Sequence, residues 1–441
     1  MIIHVVQSGD TLYSLSQTYG VSVSKIVQDN GLEDIDYLVE GQTIVIVYPE
    51  QTYTVRQGDT LSGIAENHGV TLIGLLRNNP FLSDRIYIYP GETLVIRYGN
   101  KIRDIATNGY AYPFIDMAVL RKTLPFLTYL TVFNYRAIAG GEITDIGIDD
   151  TAVIQTAKAY GVAPIMLLTT LSGRGEANLE VAFSILTDQA IQDRLIENLL
   201  NLLETKSYYG LNISFQYINA STLSLYENFL TNITTHLNGA GYPVFVTINP
   251  NITFTEDEIT FERVDYTRLG QIANAVTILS FDWGYTLGPP IPFSANKIRE
   301  FLDYIVSQIP PEKIFIGMPV IGYDWELPYV EGQSRAHSLS TDAAIRLADE
   351  LGIAIQYSES SQSPYFFYRD PITGRDHMVW FKDARSINAL LSLITEYGFT
   401  GIGIWNIMQF FTQMWLIINS QYEIETILTY QGSLPPPAGG N

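Results

Sequence analysis

The sequence predicts an α/β protein: a C-terminal (β/α)8 barrel with a small α+β insertion, preceded by two small βααβ modules. Three observations support this prediction. Short apolar segments alternate with amphipathic helical patterns from about residue 104 onward. A motif near the amino terminus recurs 49 residues later, at Tyr53 after His4. The stretch from Tyr323 to Asp383 is too long for one helix between two strands, and it therefore predicts the insertion.

Eight strand candidates define the predicted barrel. They are residues 109–114, 129–133, 165–169, 210–217, 244–249, 276–282, 314–320 and 401–405. Between the fourth and the fifth, apolar residues from Leu223 to Leu237 recur at helical spacing. Strands that alternate with helices in this way predict a parallel sheet closed into a barrel over residues 104–430. The tail, 431–441, is rich in Pro and Gly, and we expect it to be flexible or extended.

The first hundred residues contain a repeat. The segment His4–Leu12 recurs as Tyr53–Leu61, and both copies contain Gly-Asp-Thr-Leu. Each copy reads strand, helix, helix, strand, which predicts one module over 1–49 and another over 50–99. Within each Gly-Asp-Thr, the Asp or the Thr is suited to cap the first helix through a side-chain oxygen.

Both copies resemble LysM modules, which bind glycans that contain N-acetylglucosamine, such as peptidoglycan and chitin. In that family the sugar groove lies between the loop after the first strand and the loop before the last. The resemblance therefore implies glycan-binding positions at Gly9, Asp10, Thr11 and Asn30, and at Gly58, Asp59, Thr60 and Asn79.

Composition excludes several classes of function. The formal net charge is −21, from 46 acidic and 25 basic residues, so nucleic acid and anionic membranes are not expected partners. The chain has no cysteine, which rules out disulfides and thiolate metal sites. Its five histidines show no ligand spacing, so we expect neither a metal nor a cofactor. Met1 leads directly into a strand-like segment, and no secretory signal peptide is expected.

Residues 208–218 are the most informative segment. Leu211, Ile213 and Phe215 alternate with Asn212, Ser214 and Gln216, as expected of a barrel strand with one outward and one inward face. The segment resembles the signature of family 18 glycoside hydrolases, Asp-Gly-apolar-Asp/Asn-apolar-Asp-aromatic-Glu. Tyr209 stands at the first Asp of that signature, Ser214 at the third acidic position, and Gln216 at the Glu.

The resemblance implies a mechanism whose groups are missing here. In family 18 the substrate's acetamide attacks its own anomeric carbon, an Asp orients it, and the Glu protonates the leaving oxygen. Gln216 has no proton to donate, and Ser214 carries no charge. The family's Met-x-Tyr-Asp element reads Leu279-Ser280-Phe281-Asp282, which keeps Asp282 but lacks the Tyr hydroxyl at Phe281. We therefore expect a barrel that has lost hydrolysis.

Other segments resemble the spore-cortex N-acetylglucosaminidases of this family. They are residues 280–290, where the resemblance implies glycan-binding positions at Trp283 and Tyr285, and residues 309–314, 322–329 and 377–386. Trp405, at the end of the eighth strand, stands where the family places the tryptophan that floors the sugar site. Trp283, Trp325 and Trp380 are individually better explained as core residues. The resemblance implies a spore-associated protein, made without a signal peptide in the mother-cell cytoplasm.

Three functions remain open from the sequence. The first is a peptidoglycan-binding protein of the spore cortex or coat with an inactive barrel, which could also contact coat proteins. The second is a working N-acetylglucosaminidase that recruits another acid, for example Asp282 or a carboxylate of the insertion such as Glu326. The third is a structural role in assembly of a spore layer, through an acidic surface rich in tyrosine (29 residues).

Overall fold

The computed structural model describes residues 1–33, 38–83, 85, 87–172, 177–215, 219–254, 259–279, 295–330 and 333–430. Two βααβ modules come first. The first comprises β1 (Ile2–Val5), α1 (Leu12–Tyr19), α2 (Val23–Asn30) and β2 (Thr43–Ile46). The second comprises β3 (Pro49–Thr54), α3 (Leu61–Asn67), α4 (Leu72–Asn78) and β4 (Thr93–Tyr98). In each module the two strands pair antiparallel.

The threonine of each Gly-Asp-Thr caps the following helix. The hydroxyl of Thr11 accepts a hydrogen bond from the Ser14 amide at 3.0 Å, and that of Thr60 accepts one from the Gly63 amide at 3.0 Å. Of the two capping candidates in each copy, the threonine is thus the one used. A satisfied helix start of this kind contributes about 1 kcal/mol.

Elements of the first part of the barrel follow in regular alternation. They are β5 (Asp104–Ala111), α5 (Met117–Thr123), β6 (Tyr129–Ala137), β7 (Ile143–Thr144), α6 (Thr151–Ala159), β8 (Ala163–Thr169), α7 (Leu179–Thr187), α8 (Gln189–Lys206), β9 (Gly210–Ser214), α9 (Leu223–Gly239), β10 (Val244–Ile248), β11 (Ile252–Phe254), β12 (Ile259–Phe261), α10 (Thr267–Ile272) and β13 (Ala275–Ile278).

The second part contains the insertion, which lies between the barrel strand that ends at Pro319 and the helix that begins at Ala384. Its elements are α11 (Ala295–Val306), β14 (Ile314–Pro319), β15 (Gly322–Leu327), β16 (His337–Leu339), α12 (Thr341–Glu350), β17 (Gln356–Ser358), β18 (Ser363–Arg369), β19 (Asp376–Trp380), α13 (Ala384–Tyr397), β20 (Gly401–Trp405), α14 (Thr412–Gln421) and β21 (Glu423–Ile424). Short 3-10 turns occur at Pro80–Leu82, Leu124–Phe126 and Pro311–Lys313.

Eight parallel strands close into a barrel. Their order is β5-β20-β14-β13-β10-β9-β8-β6, and β6 pairs with β5 to complete the ring. The predicted fold class is confirmed. The insertion is also as expected, a five-stranded antiparallel sheet in the order β16-β15-β19-β18-β17 with α12 packed against it.

The first barrel strand differs from the prediction. It begins at Asp104 rather than at residue 109. The prediction started too late because Thr107 and Asn108 are polar and interrupt the apolar pattern, although both are buried and hydrogen-bonded inside the protein. The predicted ends of the fourth and sixth strands, residues 216–217 and 280–282, lie outside the described residues, as does the tail 431–441.

The barrel interior is filled in layers, as expected for this fold. At the amino-terminal end lies an apolar layer built from Ala106, Ile165, Phe245, Ala275 and Phe315, with Tyr129 and Tyr209 packed against it. Above it lies a polar layer in which Asn212 receives a hydrogen bond from Thr247 and donates one to Tyr110. The outward faces of the same strands pack on the surrounding helices.

The modules dock on the barrel through specific contacts. Gln413 of α14 is buried, and its amide donates to the side-chain oxygen of Asn30 at 3.0 Å and to the carbonyl of Thr43 at 2.6 Å. The Arg77 guanidinium of the second module donates to the carbonyl of Pro125 at 2.6 Å. Both modules therefore share buried surface with the barrel. No helix in the described part of the chain is both long and apolar enough to span a membrane.

Candidate functional site

A cavity of about 430 Å³ opens at the carboxyl ends of the barrel strands. This is the end at which barrels of this type build their sites, because loops after the strands converge there. Its lining consists of Tyr110, Tyr112, Phe133, Asn134, Tyr135, Arg136, Ile146, Leu167, Thr169, Leu171, Ser172, Ser214, Thr247, Leu279 and Trp405. Aromatic rings, hydroxyls, amides and one guanidinium are present, but none of these described residues carries a carboxylate.

Aromatic rings form one wall of the cavity. Trp405, at the end of β20, lies 5.9 Å from Phe133 and 6.0 Å from Tyr112 between ring centroids. Tyr112 is stacked on Phe114 at 5.1 Å, and Phe114 is more than half exposed. Flat, partly exposed rings of this kind present apolar faces on which a sugar ring can pack. The cluster thus contains the predicted platform residue Trp405 and three aromatic residues that the sequence did not single out.

The signature strand β9 contributes one residue to this cavity. Ser214 lines it, whereas Asn212 is fully buried one layer below and bonded to Tyr110 and Thr247. Tyr209 lies at the opposite end of the barrel, with its ring 6.4 Å from that of Tyr129. Among the described signature positions, only Ser214 can therefore contact a ligand in the cavity.

Several predicted site residues lie outside the described part of the chain. They are Gln216 on the signature strand, and Phe281, Asp282, Trp283 and Tyr285 on the loop after β13.

A buried carboxylate supports the cavity wall from behind. Asp150 has no exposed surface, and its Oδ2 accepts hydrogen bonds from Asn134 at 3.0 Å, Tyr135 at 2.7 Å and Tyr208 at 2.6 Å. Its Oδ1 lies 3.0 Å from the Lys206 ammonium. Burial alone would raise the pKa of this carboxyl, but the hydrogen bonds outweigh burial and hold the pKa below its usual value. This ionised carboxylate accepts three hydrogen bonds on Oδ2 and has the Lys206 ammonium beside Oδ1. It positions Asn134 and Tyr135 and has no proton to donate.

Sequence reasoning missed Asp150. The pair Asp149-Asp150 directly precedes the helix α6, where it reads as an ordinary helix start. Its role appears only from partners that the fold brings together, so no local signal could have identified it.

The alternative acids in the insertion do not reach the cavity. Glu326 is about half exposed and forms an ion pair with Arg375. Asp324 accepts hydrogen bonds from Tyr368 at 2.7 Å and pairs with His377 at 2.9 Å. Neither Glu326 nor Asp324 is among the residues that line the cavity.

In the modules, the aspartate of each Gly-Asp-Thr organises its own loop. Asp10 accepts a hydrogen bond from the Gln7 amide at 2.8 Å and contacts His4 at 2.9 Å. Asp59 accepts one from the Arg56 amide at 2.7 Å and one from the Tyr53 hydroxyl at 2.8 Å. The backbone amide and the neighbouring side chain together lower the pKa of each carboxyl.

Gly9 and Gly58 complete these loops. Both have φ of 89°, a conformation that favours glycine, and a side chain added at either position would meet no neighbour within 4 Å. The open space beside both glycines leaves the loop backbone accessible, as a sugar groove at this position requires.

The side chains of Asn30 and Asn79 are buried and hydrogen-bonded within their own modules. Asn30 is buried, donates to the carbonyls of Ile26 and Val45 at 2.9 Å, and accepts from the Val45 amide at 2.7 Å. Asn79 makes the same three bonds with Leu75 and Val95. Each Asn therefore fixes the end of the second helix to the last strand of its module. A role of Asn30 and Asn79 in the sugar groove stays a prediction of the resemblance.

Comparison with known proteins defines the class. Residues 165–409 match the family described as Glycosyl hydrolases family 18, and residues 4–47 and 53–97 each match the LysM domain. The chain therefore belongs to glycosyl hydrolases family 18 and carries two LysM domains, which imply peptidoglycan binding. The resemblance seen in the motifs is confirmed.

Full-length relatives narrow the comparison to spore proteins. A cortical fragment-lytic enzyme of Bacillus anthracis is 34% identical over 426 residues, covering 95% of this chain and 98% of that protein. The crystal structure of the Bacillus cereus spore cortex-lytic enzyme SleL matches with a TM-score of 0.77 at 32% identity, over 96% of this chain and 99% of that one. The Bacillus megaterium QM B1551 SleL matches with a TM-score of 0.78 at 29% identity, over 97% and 99%. This homology to spore cortex-lytic enzymes implies association with the spore.

Proposed function

We propose that this protein is a spore-associated peptidoglycan-binding protein whose barrel holds a glycan chain without hydrolysing it. The carrying observation is the cavity at the carboxyl ends of the strands, where Ser214 stands at an acidic position of the family signature and no described lining residue is acidic. The sequence adds Gln216 and Phe281 at two further positions of the family's catalytic set.

The missing groups act on different parts of the reaction. A positioned general acid contributes about 10²–10⁴ in rate, and an amide at position 216 cannot serve as one near neutral pH. A negative charge preorganised beside the cationic intermediate contributes about 10²–10³ more, and the hydroxyl of Ser214 carries no charge. Loss of both accounts for an inert barrel without any change of fold.

What remains in the cavity supports binding. Trp405 and Tyr112 line the cavity with their rings edge to face, and Phe114 is stacked on Tyr112. Thr169, Ser172 and Ser214 provide hydroxyls in the same lining. Apolar rings with a few oriented polar groups are the usual composition of a ligand site. In this proposal the two LysM domains hold the protein on peptidoglycan and the barrel takes a strand of the same polymer.

Incubation of the purified protein with cortex peptidoglycan, followed by chromatography of released muropeptides, tests the loss of hydrolysis. We expect no release from the wild type. A triple variant, Ser214→Asp, Gln216→Glu and Phe281→Tyr, restores the three family groups, and we expect measurable release from it. The matched control carries Ser214→Asn and Phe281→Tyr and keeps Gln216. It therefore has amides at the two positions where the triple variant has acids. Wild-type turnover near that of an active relative would refute the proposal.

The second candidate is a working N-acetylglucosaminidase, which the full-length similarity to lytic enzymes favours. This function requires another general acid. Glu326 is exposed and paired with Arg375, so Asp282 is the better candidate for that acid. If wild-type protein does release muropeptides, Asp282→Asn should abolish that release while Glu326→Gln should not.

The third candidate is a purely structural spore-layer protein, possible because the surface is strongly acidic. Sedimentation of the full chain with insoluble peptidoglycan separates it from the binding proposals. Retention that is lost on adding soluble glycan fragments supports binding. A protein that stays in solution would favour the structural role.

A further inference from the structure

Arg136 is directed into the barrel cavity by a bulge in strand β6. The pairing of β6 with β8 shifts register between Phe133 and Tyr135, so that one extra residue is inserted there. After the shift, Tyr135 and Ala137 belong to the large apolar core cluster, although Tyr135 also lines the cavity. Alternation along the strand favours the inner face for Arg136, and this half-buried residue is part of the cavity lining.

No acidic group in the described part of the chain pairs with this guanidinium. The cavity lining contains no carboxylate there. Asp150 lies behind the wall and is taken up by Tyr135, Tyr208 and Lys206. Asp145, close by in sequence, is exposed and accepts a hydrogen bond from the Gly147 amide at 2.8 Å.

Acidic residues outnumber basic ones by 46 to 25 in the sequence, yet no ion pair joins Arg136 to an acidic side chain among the described residues. An arginine presents a planar fork of donors that matches a carboxylate and accepts no hydrogen bond itself. Since no described residue of the cavity lining is acidic and Arg136 lies beside the aromatic residues there, its guanidinium can offer charge and donors to a ligand.

We infer that the barrel cavity selects a glycan that carries a carboxylate, and that Arg136 receives that carboxylate. This inference rests on the proposed function and adds to it the class of glycan. In peptidoglycan the carboxylate is either the lactyl group of muramic acid, where no peptide is attached, or a free carboxylate of the stem peptide. A neutral chitin-type oligomer offers only hydroxyl and acetamide oxygens, which form weaker hydrogen bonds with a guanidinium than a carboxylate does.

Fluorine NMR on the full chain can observe the cavity separately from the LysM domains. The protein has five tryptophans, and 5-fluorotryptophan labelling gives one resonance for each. The Trp405→Phe variant assigns the resonance at the cavity. The ligands are the disaccharide of N-acetylglucosamine and N-acetylmuramic acid, the same disaccharide with its lactyl group converted to the amide, and N,N′-diacetylchitobiose.

We expect the acid disaccharide to titrate the Trp405 resonance at a concentration roughly 10- to 100-fold lower than its amide, the range for a hydrogen bond to a charged group. Arg136→Gln should remove that preference, and Arg136→Lys should retain part of it. Arg369→Gln is the matched control, because Arg369 is 73% exposed on the insertion, and it should leave the preference unchanged. A muropeptide, whose lactyl group is an amide, shows whether a stem-peptide carboxylate substitutes for the lactyl one.

Two other outcomes have distinct meanings. Equal binding of acid and amide by the wild type, or a preference that survives in Arg136→Gln, overturns the role of Arg136 but leaves glycan binding by the barrel intact. A Trp405 resonance that no saccharide perturbs overturns this inference and the barrel-binding half of the proposed function together.

Discussion

Replacement of Asp150 by Asn tests the support of the cavity wall with almost no change in shape. The carboxylate is fully buried, accepts three hydrogen bonds on one oxygen and lies 3.0 Å from Lys206 through the other. Asparagine at this position keeps one acceptor oxygen for the three hydrogen bonds but loses the charge. Its NH2 group then faces the Lys206 ammonium, so that two hydrogen-bond donors meet.

The expected cost follows from these contacts. Hydrogen bonds to a charged group contribute about 1.5–3 kcal/mol and neutral ones about 0.5–1.5 kcal/mol, so three weakened bonds lose about 3 kcal/mol together. The Lys206 ammonium is about a quarter exposed and keeps Asp149 as a partner, so the loss of its pair with Asp150 costs less than the roughly 3–5 kcal/mol for a fully buried pair. We therefore expect Asp150→Asn to lower the free energy of unfolding by about 3 kcal/mol near pH 7.

The pH dependence of this difference has a definite sign. Although burial opposes ionisation, the hydrogen bonds hold the folded-state pKa of Asp150 below its unfolded value, which is about 3.9. The stabilisation is then fully present above about pH 4 and is lost as pH falls through the folded-state pKa. The gap between wild type and Asp150→Asn should therefore shrink in acid.

Urea denaturation followed by circular dichroism at about pH 7, 5 and 3 measures the gap. Asp149→Asn is the matched control, because Asp149 pairs with the same Lys206 at 2.6 Å while its side chain is 70% exposed. We expect that control to change stability far less. A variant as stable as wild type at neutral pH, or a gap that widens in acid, would refute the assignment of Asp150 as an ionised anchor.

The docking contacts and the cavity provide three more expected results. Gln413→Ala leaves the buried Thr43 carbonyl without its donor, which costs about 1–3 kcal/mol. Hydrogen exchange in β2 should therefore become faster, and unchanged protection of β2 would contradict a tight interface between module and barrel. Asn79→Ala removes the hydrogen-bond partners of both the amide and the carbonyl of Val95. Calorimetry should show the second module less stable by about 2–4 kcal/mol, and an unchanged transition would argue against a structural role of Asn79. Trp405→Ala should abolish saccharide binding in the barrel but not retention on insoluble peptidoglycan, measured by sedimentation; loss of both would mean that the LysM domains do not hold the protein alone.

The sequence by itself determined the architecture of this protein. Alternating apolar segments and helical periodicity depend on neighbours a few residues apart, so the barrel, the insertion and the repeated modules could all be recognised locally. The chemical identity of residues at family positions was also readable, which is why the loss of acids at 214 and 216 needed no coordinates. Boundaries were less certain where polar residues face the barrel interior, as at Thr107 in β5.

Only the tertiary structure decided what surrounds each group. The hydrogen-bond donors to Asp150 lie 15, 16 and 58 residues away in sequence, and nothing near Asp150 indicates that three donors converge on its carboxylate. The bulge that turns Arg136 inward arises from pairing with another strand. Asn30 was expected in a sugar groove and is instead held by Val45 and Gln413. Burial, charge compensation and side-chain direction depend on long-range contacts, and a local pattern does not record them.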